Sequence, residues 1–399
     1  MKKCLDEHLE VIKECAIDVI SEEEIRAKLE KSFKLNKPLR LKIGFDPTAR
    51  DIHLGHTVLL RKLRKLQDFG HLVYLIIGDF TAKIGDPSGK TCLRPVLSDK
   101  EIKSNASTYT QQAFKILDKK KTKVIYNSVW YKKMDLPRFL SLLSSYTVAR
   151  ILERDDFSQR LKENRPLTVL EIIYPLIQGY DSFKMDSDIE FGGTDQKFNL
   201  IVGRHLQQGF GQAPQAVVTM PLLVGLDGKN KMSKSLDNYI GITESSKVMF
   251  GKIMSISDEV MWEYYRLLSD RNIQEPKSIH PKEAKLSLAY DIVSFYHSKK
   301  AASLAKAEFI KVFSKKGLPL DIPAYKVPAP DFDIVDVLYK AKLISSKNEA
   351  RRLLEQGAIC LIDSCDTAKS VVIKDAALNL TSKGMIFKVG KKRFLKVTL

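Results

Sequence analysis

The chain has 399 residues, of which 44% are hydrophobic and 29% are charged. It is long enough for one large core and one or two smaller units, and this composition argues against a disordered or fibrous chain. Its 66 Lys and Arg residues outnumber its 48 Asp and Glu residues, and the resulting net charge of +18 favours a polyanionic partner such as nucleic acid.

No apolar run approaches the roughly 20 residues needed to span a bilayer. The start of the chain carries acids at Asp6, Glu7 and Glu10 and lacks the apolar core of a signal peptide. The five cysteines are odd in number and scattered, without the CxxC spacing of metal ligands. We therefore expect a cytoplasmic protein with inert thiols, no membrane contact and no metal held by its own side chains.

Strands alternate with helices from residue 41 to residue 223. A charged helical region at 1–40, with a helix start at Ser21, precedes them. Strands are predicted near 41–46, 71–77, 123–127, 188–192 and 215–223, and helices near 55–69, 99–118, 137–163 and 168–183. The alternation predicts a Rossmann-like α/β domain at 1–241, with a parallel sheet, helices on both faces and ligands beyond the carboxyl ends of the strands.

The remainder of the chain is predicted to form two further domains. Residues 242–316 are predicted to be an α-helical domain, and 317–330, with four prolines, an extended linker. Residues 331–399 carry 13 Lys and Arg against 8 Asp and Glu. This surplus of basic residues predicts a small basic domain of its own.

A first candidate motif, Asp51-Ile-His-Leu-Gly-His56, lies between the first strand and the first long helix. Helix N-termini offer free N–H groups and the positive end of a dipole, which suit phosphate. His53 and His56 would reach a phosphate chain together, and Gly55 would let a purine lie on bare backbone. Alone, the pattern fits equally well a helix start that happens to contain two histidines.

The second motif, Lys231-Met-Ser-Lys-Ser235, follows the strand at 215–223 and a polar turn. Lysines on a mobile loop can close over a pyrophosphate leaving group, although a lone basic loop is more often simply solvated. The two motifs, in this order around one α/β domain, resemble those of class I aminoacyl-tRNA synthetases. Neither a GxxxxGK[ST] loop nor a GxGxxG after a strand is present.

Three further segments sharpen the resemblance: Lys42–Thr48 (KIGFDPT), Tyr174–Asp181 (YPLIQGYD) and Gly192–Gln196 (GGTDQ). With the two motifs they resemble tyrosyl-tRNA synthetases of the bacterial type over essentially the whole chain. Tyr174, Gln178 and Asp181 are spaced to share one helical face. The resemblance implies that Tyr174 and Gln178 bind the substrate ammonium and that Asp181 accepts the phenol proton.

A site built to bond a hydroxyl rejects an analogue that lacks it, and this family's choice of tyrosine over phenylalanine is the usual illustration. No editing domain is therefore expected. The resemblance implies a tyrosine-binding set of Gly44, Asp46, Thr81, Asp86, Tyr174, Gln178, Asp181 and Gln196. It implies an ATP-binding set of Asp46, Thr48, His53, Gly55, His56, Gly193, Asp195, Lys231, Met232, Ser233, Lys234 and Ser235.

His53, His56, Lys231 and Lys234 are the predicted catalytic residues. Lys90 and Arg94 match basic residues that reach the triphosphate or the tRNA end. One position departs from the family pattern, because many relatives carry at Lys42 a tyrosine that helps to bind the substrate phenol. That contact must be lost or replaced here.

The tail contains the run Ser346-Lys-Asn-Glu-Ala-Arg-Arg-Leu-Leu-Glu-Gln-Gly357, a helix with adjacent arginines that ends at a glycine. It resembles an RNA-binding domain first described in a protein of the small ribosomal subunit. The resemblance implies that Lys347, Arg351 and Arg352 contact RNA phosphates. The resemblance implies a small α+β RNA-binding domain, in which Lys388, Lys391, Lys392 and Arg393 are expected to extend this patch.

The resemblance implies a tyrosine–tRNA ligase. It would use Mg·ATP to form tyrosyl-adenylate and transfer tyrosine to the 3′-terminal adenosine of tRNA(Tyr), as a homodimer whose interface comes from about 120–185. Two alternatives remain open. A tryptophanyl-type enzyme shares the fold and both motifs but usually lacks the GGTDQ form and the basic tail, and a non-catalytic RNA-binding relative would carry damaged motifs.

Overall fold

The computed structural model describes residues 2–88, 97–271, 274–313, 322–362, 370–380, 385–390 and 393–399. These residues form two compact units, which divide the chain between Tyr296 and His297. The candidate contacts Lys90, Arg94, Lys391 and Lys392 lie outside the described residues. The finer division at 241, 316 and 330 stays a prediction.

A six-stranded sheet organises the first unit, in the order β1–β6–β5–β2–β3–β4. The strands are β1 (Asp18–Ile20), β2 (Arg40–Phe45), β3 (Leu72–Ile77), β4 (Thr122–Tyr126), β5 (Ile189–Gly193) and β6 (Ala216–Met220). β2 to β6 pair in parallel, as predicted, but β1 pairs antiparallel with β6. The prediction of a purely parallel sheet is therefore wrong at one edge, because a three-residue strand is too short to interrupt a helical pattern.

The described helices of the first unit lie around the sheet or pack on other helices. They are α1 (Lys2–Lys13), α2 (Glu22–Leu35), α3 (Leu54–Asp68), α4 (Thr81–Ile84), α5 (Asp99–Ala113), α6 (Ser128–Tyr131), α7 (Leu136–Ser144), α8 (Val148–Leu152), α9 (Asp155–Lys162), α10 (Val169–Met185), α11 (Lys197–Gly209), α12 (Ser246–Met254), α13 (Asp258–Leu268), α14 (Gln274–Lys277) and α15 (Pro281–Tyr296). The predicted start at Ser21 is confirmed, since its hydroxyl caps α2 by accepting from Glu24 N–H. The helical region predicted at 137–163 is divided into α7, α8 and α9.

The strand order places the candidate site. β3 is an apolar run, and β5 and β6 are buried at every position, as expected of parallel strands covered on both faces. From β2 the chain continues to β3 on one side, whereas β5 lies on the other. In such sheets a crevice opens where the strand order reverses, at the carboxyl ends of β2 and β5.

Close packing holds α10 beside this crevice. A Thr168–Glu171 capping box starts the helix, and a buried ion pair joins Glu171 to Arg160 at 2.6 Å. A side chain at Gly179 would lie 2.9 Å from the backbone nitrogen of Gly203 on α11. Only glycine therefore allows the two helices to approach this closely.

The second unit begins with α16 (Lys299–Phe313) and contains α17 (Ile334–Lys340) and α18 (Lys347–Glu355). Its strands are β7 (Ala324–Lys326), β8 (Asp331–Asp333), β9 (Ile359–Ile362), β10 (Ser370–Val372), β11 (Ala377–Asn379), β12 (Met385–Val389) and β13 (Arg393–Thr398). They form a sheet in the order β10–β9–β12–β13–β7 and a β11–β8 pair. Part of the predicted linker is thus a strand, because β7 pairs with β13.

Candidate active site

A cavity of about 290 Å³ lies at the carboxyl ends of β2 and β5. It is bounded by α3, α10 and the loop at 231–233. The structure brings most of the predicted site residues to its wall: Gly44, Asp46, Thr48, His53, Gly55, His56, Thr81, Asp86, Tyr174, Gln178, Asp181, Gly193, Asp195, Gln196, Lys231, Met232 and Ser233. Lys234 and Ser235 are the two predicted residues that do not line it.

Two histidines form the start of α3. His53 is the N-cap residue, its ring centroid lies 3.9 Å from that of His56, and its N–H donates to His56 Nδ1 at 3.3 Å. Burial lowers the pKa of both rings, that of His56 to about 4, and the charge of Lys234 lowers both further. Both rings are therefore neutral near pH 7. They can offer N–H bonds to a phosphate but bring no positive charge.

Positive charge comes from the loop that contains the second motif. Lys231 Nζ lies 2.8 Å from Asp195 Oδ2, and Lys234 Nζ donates to the carbonyl of Asp51. Burial lowers the pKa of Lys234 to about 8, while Asp51 opposes that effect. Since Asp51 opens the first motif, Lys234 joins the two motifs on one side of the cavity.

A buried asparagine anchors this loop at its base. Asn238 Oδ1 accepts from Ser233 N–H at 2.7 Å, and its amide donates to Asp227 Oδ2 at 2.9 Å and to the Lys231 carbonyl at 3.2 Å. Asn238 was not predicted, because an isolated asparagine after a basic motif matches no recognisable pattern.

A second carboxylate in the cavity wall is held in a fixed position. Asp46, just after β2, accepts from Thr81 Oγ1 at 2.6 Å and from the Tyr174 hydroxyl at 2.8 Å. Burial and the charges of Asp46 and Asp86 keep the pKa of Tyr174 well above its usual value, so its hydroxyl stays a donor. Asp46 is thereby oriented toward the space beside α10.

An amide network links α10 to the segment after β5. Gln196 Nε2 donates to Asp86 Oδ2 at 2.8 Å, and Gln178 Nε2 donates to Gln196 Oε1 at 3.4 Å. Asn199, which the sequence analysis did not select, donates to Gln178 Oε1 at 2.9 Å. These bonds hold Gln178 and Asp86 facing the same part of the cavity.

Asp181 lies buried on the same face of α10 as Tyr174 and Gln178, as the spacing predicted. Its Oδ1 accepts from Trp130 Nε1 and from the Tyr131 hydroxyl, both at 2.9 Å, and its Oδ2 accepts from Asn127 Nδ2 at 3.3 Å. A carboxylate offers about four acceptor positions. One position on Oδ2 thus remains for a ligand hydroxyl.

Burial raises the pKa of Asp181 to about 6, against the opposing effects of Lys42 and of the bonds from Tyr131, Asn127 and Trp130. None of these three donors was predicted from the sequence. One signal was present, because Asn127 follows the carboxyl end of β4, where ligand-facing residues collect in parallel sheets.

Lys42, the departure from the family pattern, is buried on β2 with only 1% of its side chain exposed. Its ammonium lies 2.7 Å from Glu190 Oε1 and 2.7 Å from Ser182 Oγ, and 3.4 Å from the Gln178 carbonyl. A buried ion pair thus occupies the position where a tyrosine contact to the substrate phenol was expected from the family pattern.

The candidate RNA contacts lie on α18 in the second unit. Arg351 and Arg352 are exposed, and Lys347, also exposed, pairs with Asp336 at 2.7 Å. Arg393 donates to Glu349 at 2.9 Å and to the Leu343 carbonyl, and Lys388 is half-buried on β12. Arg393 is therefore engaged within the unit rather than free to extend the patch.

Comparisons with known proteins place this chain in a family. The family model for class I tRNA synthetases of tryptophan and tyrosine matches residues 34–314, and the chain belongs to that family. The model for the C-terminal domain of tyrosine–tRNA ligases matches residues 315–397. Within the class, the chain is therefore a member of the tyrosine–tRNA ligases, which are aminoacyl-tRNA synthetases.

Curated relatives are similar to this chain along nearly its full length. The chain is 48% identical over 405 residues to the tyrosine–tRNA ligase of Nitratidesulfovibrio vulgaris, covering 99% of each chain. It is 47% identical over 396 residues to that of Aquifex aeolicus, covering 98% of each. Over 76% of this chain, the fold resembles that of a tyrosyl-tRNA synthetase from Archaeoglobus fulgidus solved with L-tyrosine, with a TM-score of 0.61 and 23% identity.

No helix among the described residues is long and apolar enough to cross a membrane.

Proposed function

We propose that this cavity joins L-tyrosine to ATP, with Asp181 selecting the phenol and His53, His56, Lys231 and Lys234 handling the phosphates. The arrangement of groups at the two ends of this cavity supports the proposal. At one end Asp181 keeps an open acceptor position, and at the other the two motifs meet through the Lys234–Asp51 contact. Tyrosine and ATP would therefore lie end to end.

Charge complementarity orients the amino acid in this proposal. The ammonium lies among Tyr174, Gln178 and Asp86, whose oxygen atoms can accept its three N–H bonds. Thr81 positions Asp46 nearby. The ring then extends along α10 to Asp181, and the carboxylate is left facing the ATP site.

In the first step a tyrosine carboxylate oxygen attacks the α-phosphorus in line, and the bond from that phosphorus to the oxygen bridging the β-phosphate breaks. Pyrophosphate leaves, and no protein nucleophile takes part. Catalysis is then positioning together with stabilisation of developing charge. The neutral histidines donate N–H bonds, and the buried Nδ1 of His53, which has no partner among the described residues, is available for this.

Lys231 and Lys234 hold the pyrophosphate as it leaves. Lys231 is paired with Asp195 before ATP arrives, so Asp195 becomes free for the ribose when the lysine moves to the phosphates. Mg²⁺ enters as part of the Mg·ATP substrate, since Mg²⁺ is commonly bound through substrate phosphates. Among the described residues no group of three or more His, Cys, Asp or Glu side chains could hold a metal ion.

In the second step a ribose hydroxyl of the terminal adenosine of tRNA(Tyr) attacks the adenylate carbonyl, and AMP leaves. The enzyme acts in the cytoplasm, where it meets uncharged tRNA. Exposed arginines on α18 supply the phosphate contacts of the second unit.

Replacing Arg351 and Arg352 by glutamate should weaken tRNA charging and leave tyrosine-dependent ATP–pyrophosphate exchange unchanged. Each lost phosphate contact should lower the salt slope of tRNA affinity by about 1. Lys326→Glu, an exposed charge reversal on β7, is the matched control and should keep wild-type charging. An equal loss in both assays would argue against an RNA role for α18.

The homodimer proposal is supported by the exposed surface of segment 120–185. Eight of the twenty exposed large apolar side chains of the described residues lie there: Tyr126, Val129, Leu136, Leu140, Val148, Leu161, Val169 and Leu170. Val169 is 73% exposed and Leu136 67%. Such a concentration is typical of a surface that another protein covers.

The double variant Leu136→Glu/Val169→Glu should therefore sediment at half the mass of the wild-type protein, because buried unpaired carboxylates oppose the interface. If one tRNA bridges both subunits, charging should fall more than ATP–pyrophosphate exchange does. Ile279→Glu, an equally non-polar exposed position outside the segment, should stay dimeric. A double variant that keeps the wild-type mass would place the interface elsewhere.

Exchange of pyrophosphate into ATP, tested with each of the twenty amino acids, decides among the candidate functions. Tyrosine-only exchange supports the proposal. Tryptophan-only exchange would indicate the tryptophanyl type, and exchange with no amino acid would indicate a non-catalytic relative.

A further inference from the structure

We infer that Lys42, paired with Glu190, is a positioning residue for tyrosine selection. It holds the turn of α10 that carries Gln178 and Asp181, and it keeps the Asp181 carboxylate negatively charged to accept the phenol hydroxyl. This inference rests on the proposed function.

The pair is built into the sheet at the point where the cavity opens. Lys42 on β2 and Glu190 on β5 are register partners across the two strands at the switch point. Both line the cavity, and their side chains are 1% and 2% exposed. Glu190 Oε2 also accepts from Ser182 Oγ at 2.8 Å and from Gln215 Nε2 at 2.5 Å, so its position is fixed.

The lysine acts through other groups rather than on the substrate. An ammonium has three N–H donors. In Lys42 they go to Glu190 Oε1, Ser182 Oγ and the Gln178 carbonyl. Two of these acceptors belong to α10, and Ser182 directly follows Asp181. No donor remains for a ligand hydroxyl, so Lys42 places the selecting residues instead.

A structural role alone does not account for a buried ion pair in this wall. Desolvating two charges is costly, and well-packed apolar residues of similar volume are often as stabilising or more so. Stability alone therefore does not explain why Lys42 and Glu190 are charged residues, whereas an effect on the neighbouring Asp181 carboxylate does. Burial by itself drives Asp181 toward its neutral form, and the charge of Lys42 is the largest opposing influence.

The titratable groups around Asp181 come from three directions. Lys42 faces it from the sheet, Tyr131 from α6, and Tyr174 from its own helix. The tyrosine hydroxyls remain neutral and protonated, because burial raises the pKa of each well above its usual value. Lys42 is thus the only one of these groups whose positive charge favours the Asp181 anion.

The experiment measures the pH dependence of KM for tyrosine, and the tyrosine-to-phenylalanine ratio of kcat/KM, by ATP–pyrophosphate exchange with the full chain. Lys42→Gln keeps a hydrogen-bonding side chain without the charge, and Lys42→Arg keeps the charge. Lys42→Gln/Glu190→Gln removes both charges and leaves neither buried alone. Arg160→Gln, which breaks the buried ion pair between α9 and α10 outside the cavity, is the matched control.

In the wild-type protein KM for tyrosine should rise as the pH falls through about 6, where Asp181 takes up a proton. In Lys42→Gln this rise in KM should move up by about one pH unit, so the preference for tyrosine should fall about twofold at pH 7 and roughly tenfold at pH 5. In the double variant, the rise in KM at low pH should occur at a pH between those found for the wild type and for Lys42→Gln. In Lys42→Arg it should occur at the wild-type pH. Arg160→Gln should lower thermal stability only.

If Lys42→Gln and the double variant lose affinity while the pH of the rise in KM and the tyrosine preference stay as in the wild type, the pair is merely structural and the inference is overturned. The double variant decides the question if Lys42→Gln alone does not fold. A wild-type protein that exchanges no tyrosine would instead overturn the proposed function, so the two failures are distinguishable.

Discussion

Asp181→Asn is expected to lower kcat/KM for tyrosine roughly 30- to 150-fold. This factor corresponds to a loss of about 2–3 kcal/mol of transition-state stabilisation, the value of a hydrogen bond to a charged group. An asparagine also turns an amide toward the donors Asn127, Trp130 and Tyr131, which now surround the carboxylate. Phenylalanine makes no bond at this position, so its kcat/KM should change much less. The preference for tyrosine should therefore collapse.

The measurement is ATP–pyrophosphate exchange with tyrosine and phenylalanine between pH 5 and 8. The Asp181→Asn variant should also lack the acid limb near pH 6, because it lacks the group that titrates there. Asp186→Asn makes the same change at the C-cap of α10, in a left-handed conformation that asparagine tolerates. It should behave as the wild type. A variant at Asp181 that still prefers tyrosine would refute the assignment of the phenol site.

Lys234→Ala and His53→Ala are expected to lower the rate of tyrosine activation by roughly 100- to 1,000-fold each, the range found when one charge-stabilising donor is removed. Tyrosine affinity should change less than about threefold, because neither side chain lies at the Asp181 end of the cavity. Single-turnover formation of the adenylate and equilibrium tyrosine binding separate the two quantities.

Lys229→Ala supplies the control, since Lys229 is exposed in the turn just before the same loop and has no place in the proposed chemistry. Its activation rate should equal that of the wild type. Collapse of tyrosine affinity in Lys234→Ala or His53→Ala, with the rate per bound substrate preserved, would contradict the assigned roles.

Much of the site followed from local sequence patterns. The spacing of Tyr174, Gln178 and Asp181 alone predicted a shared helical face, and α10 presents all three to one cavity. The parallel strands were equally predictable from the sequence, because buried strands have the pattern of apolar runs bounded by turns. Those signals depend only on residues close together in the chain.

What the sequence could not provide was pairing between distant segments. The donors that surround Asp181 come from α6 and from Asn127 just before it, and Glu190 meets Lys42 only because β5 pairs with β2. The sequence shows a lysine at position 42 but not its partner, since strand order and register are set by the packing of the whole unit. The antiparallel strand β1 was missed for a different reason, since its three residues are too few to interrupt a helical pattern.

A crystal structure of the full chain with a non-hydrolysable tyrosyl-adenylate analogue tests the central claim most directly. The phenol oxygen should lie within about 2.5–3.0 Å of Asp181 Oδ2. His53 and Lys234 should both approach the phosphate from the same side of the analogue. A phenol oxygen remote from Asp181, or His53 and Lys234 on opposite sides of the analogue, would contradict the account.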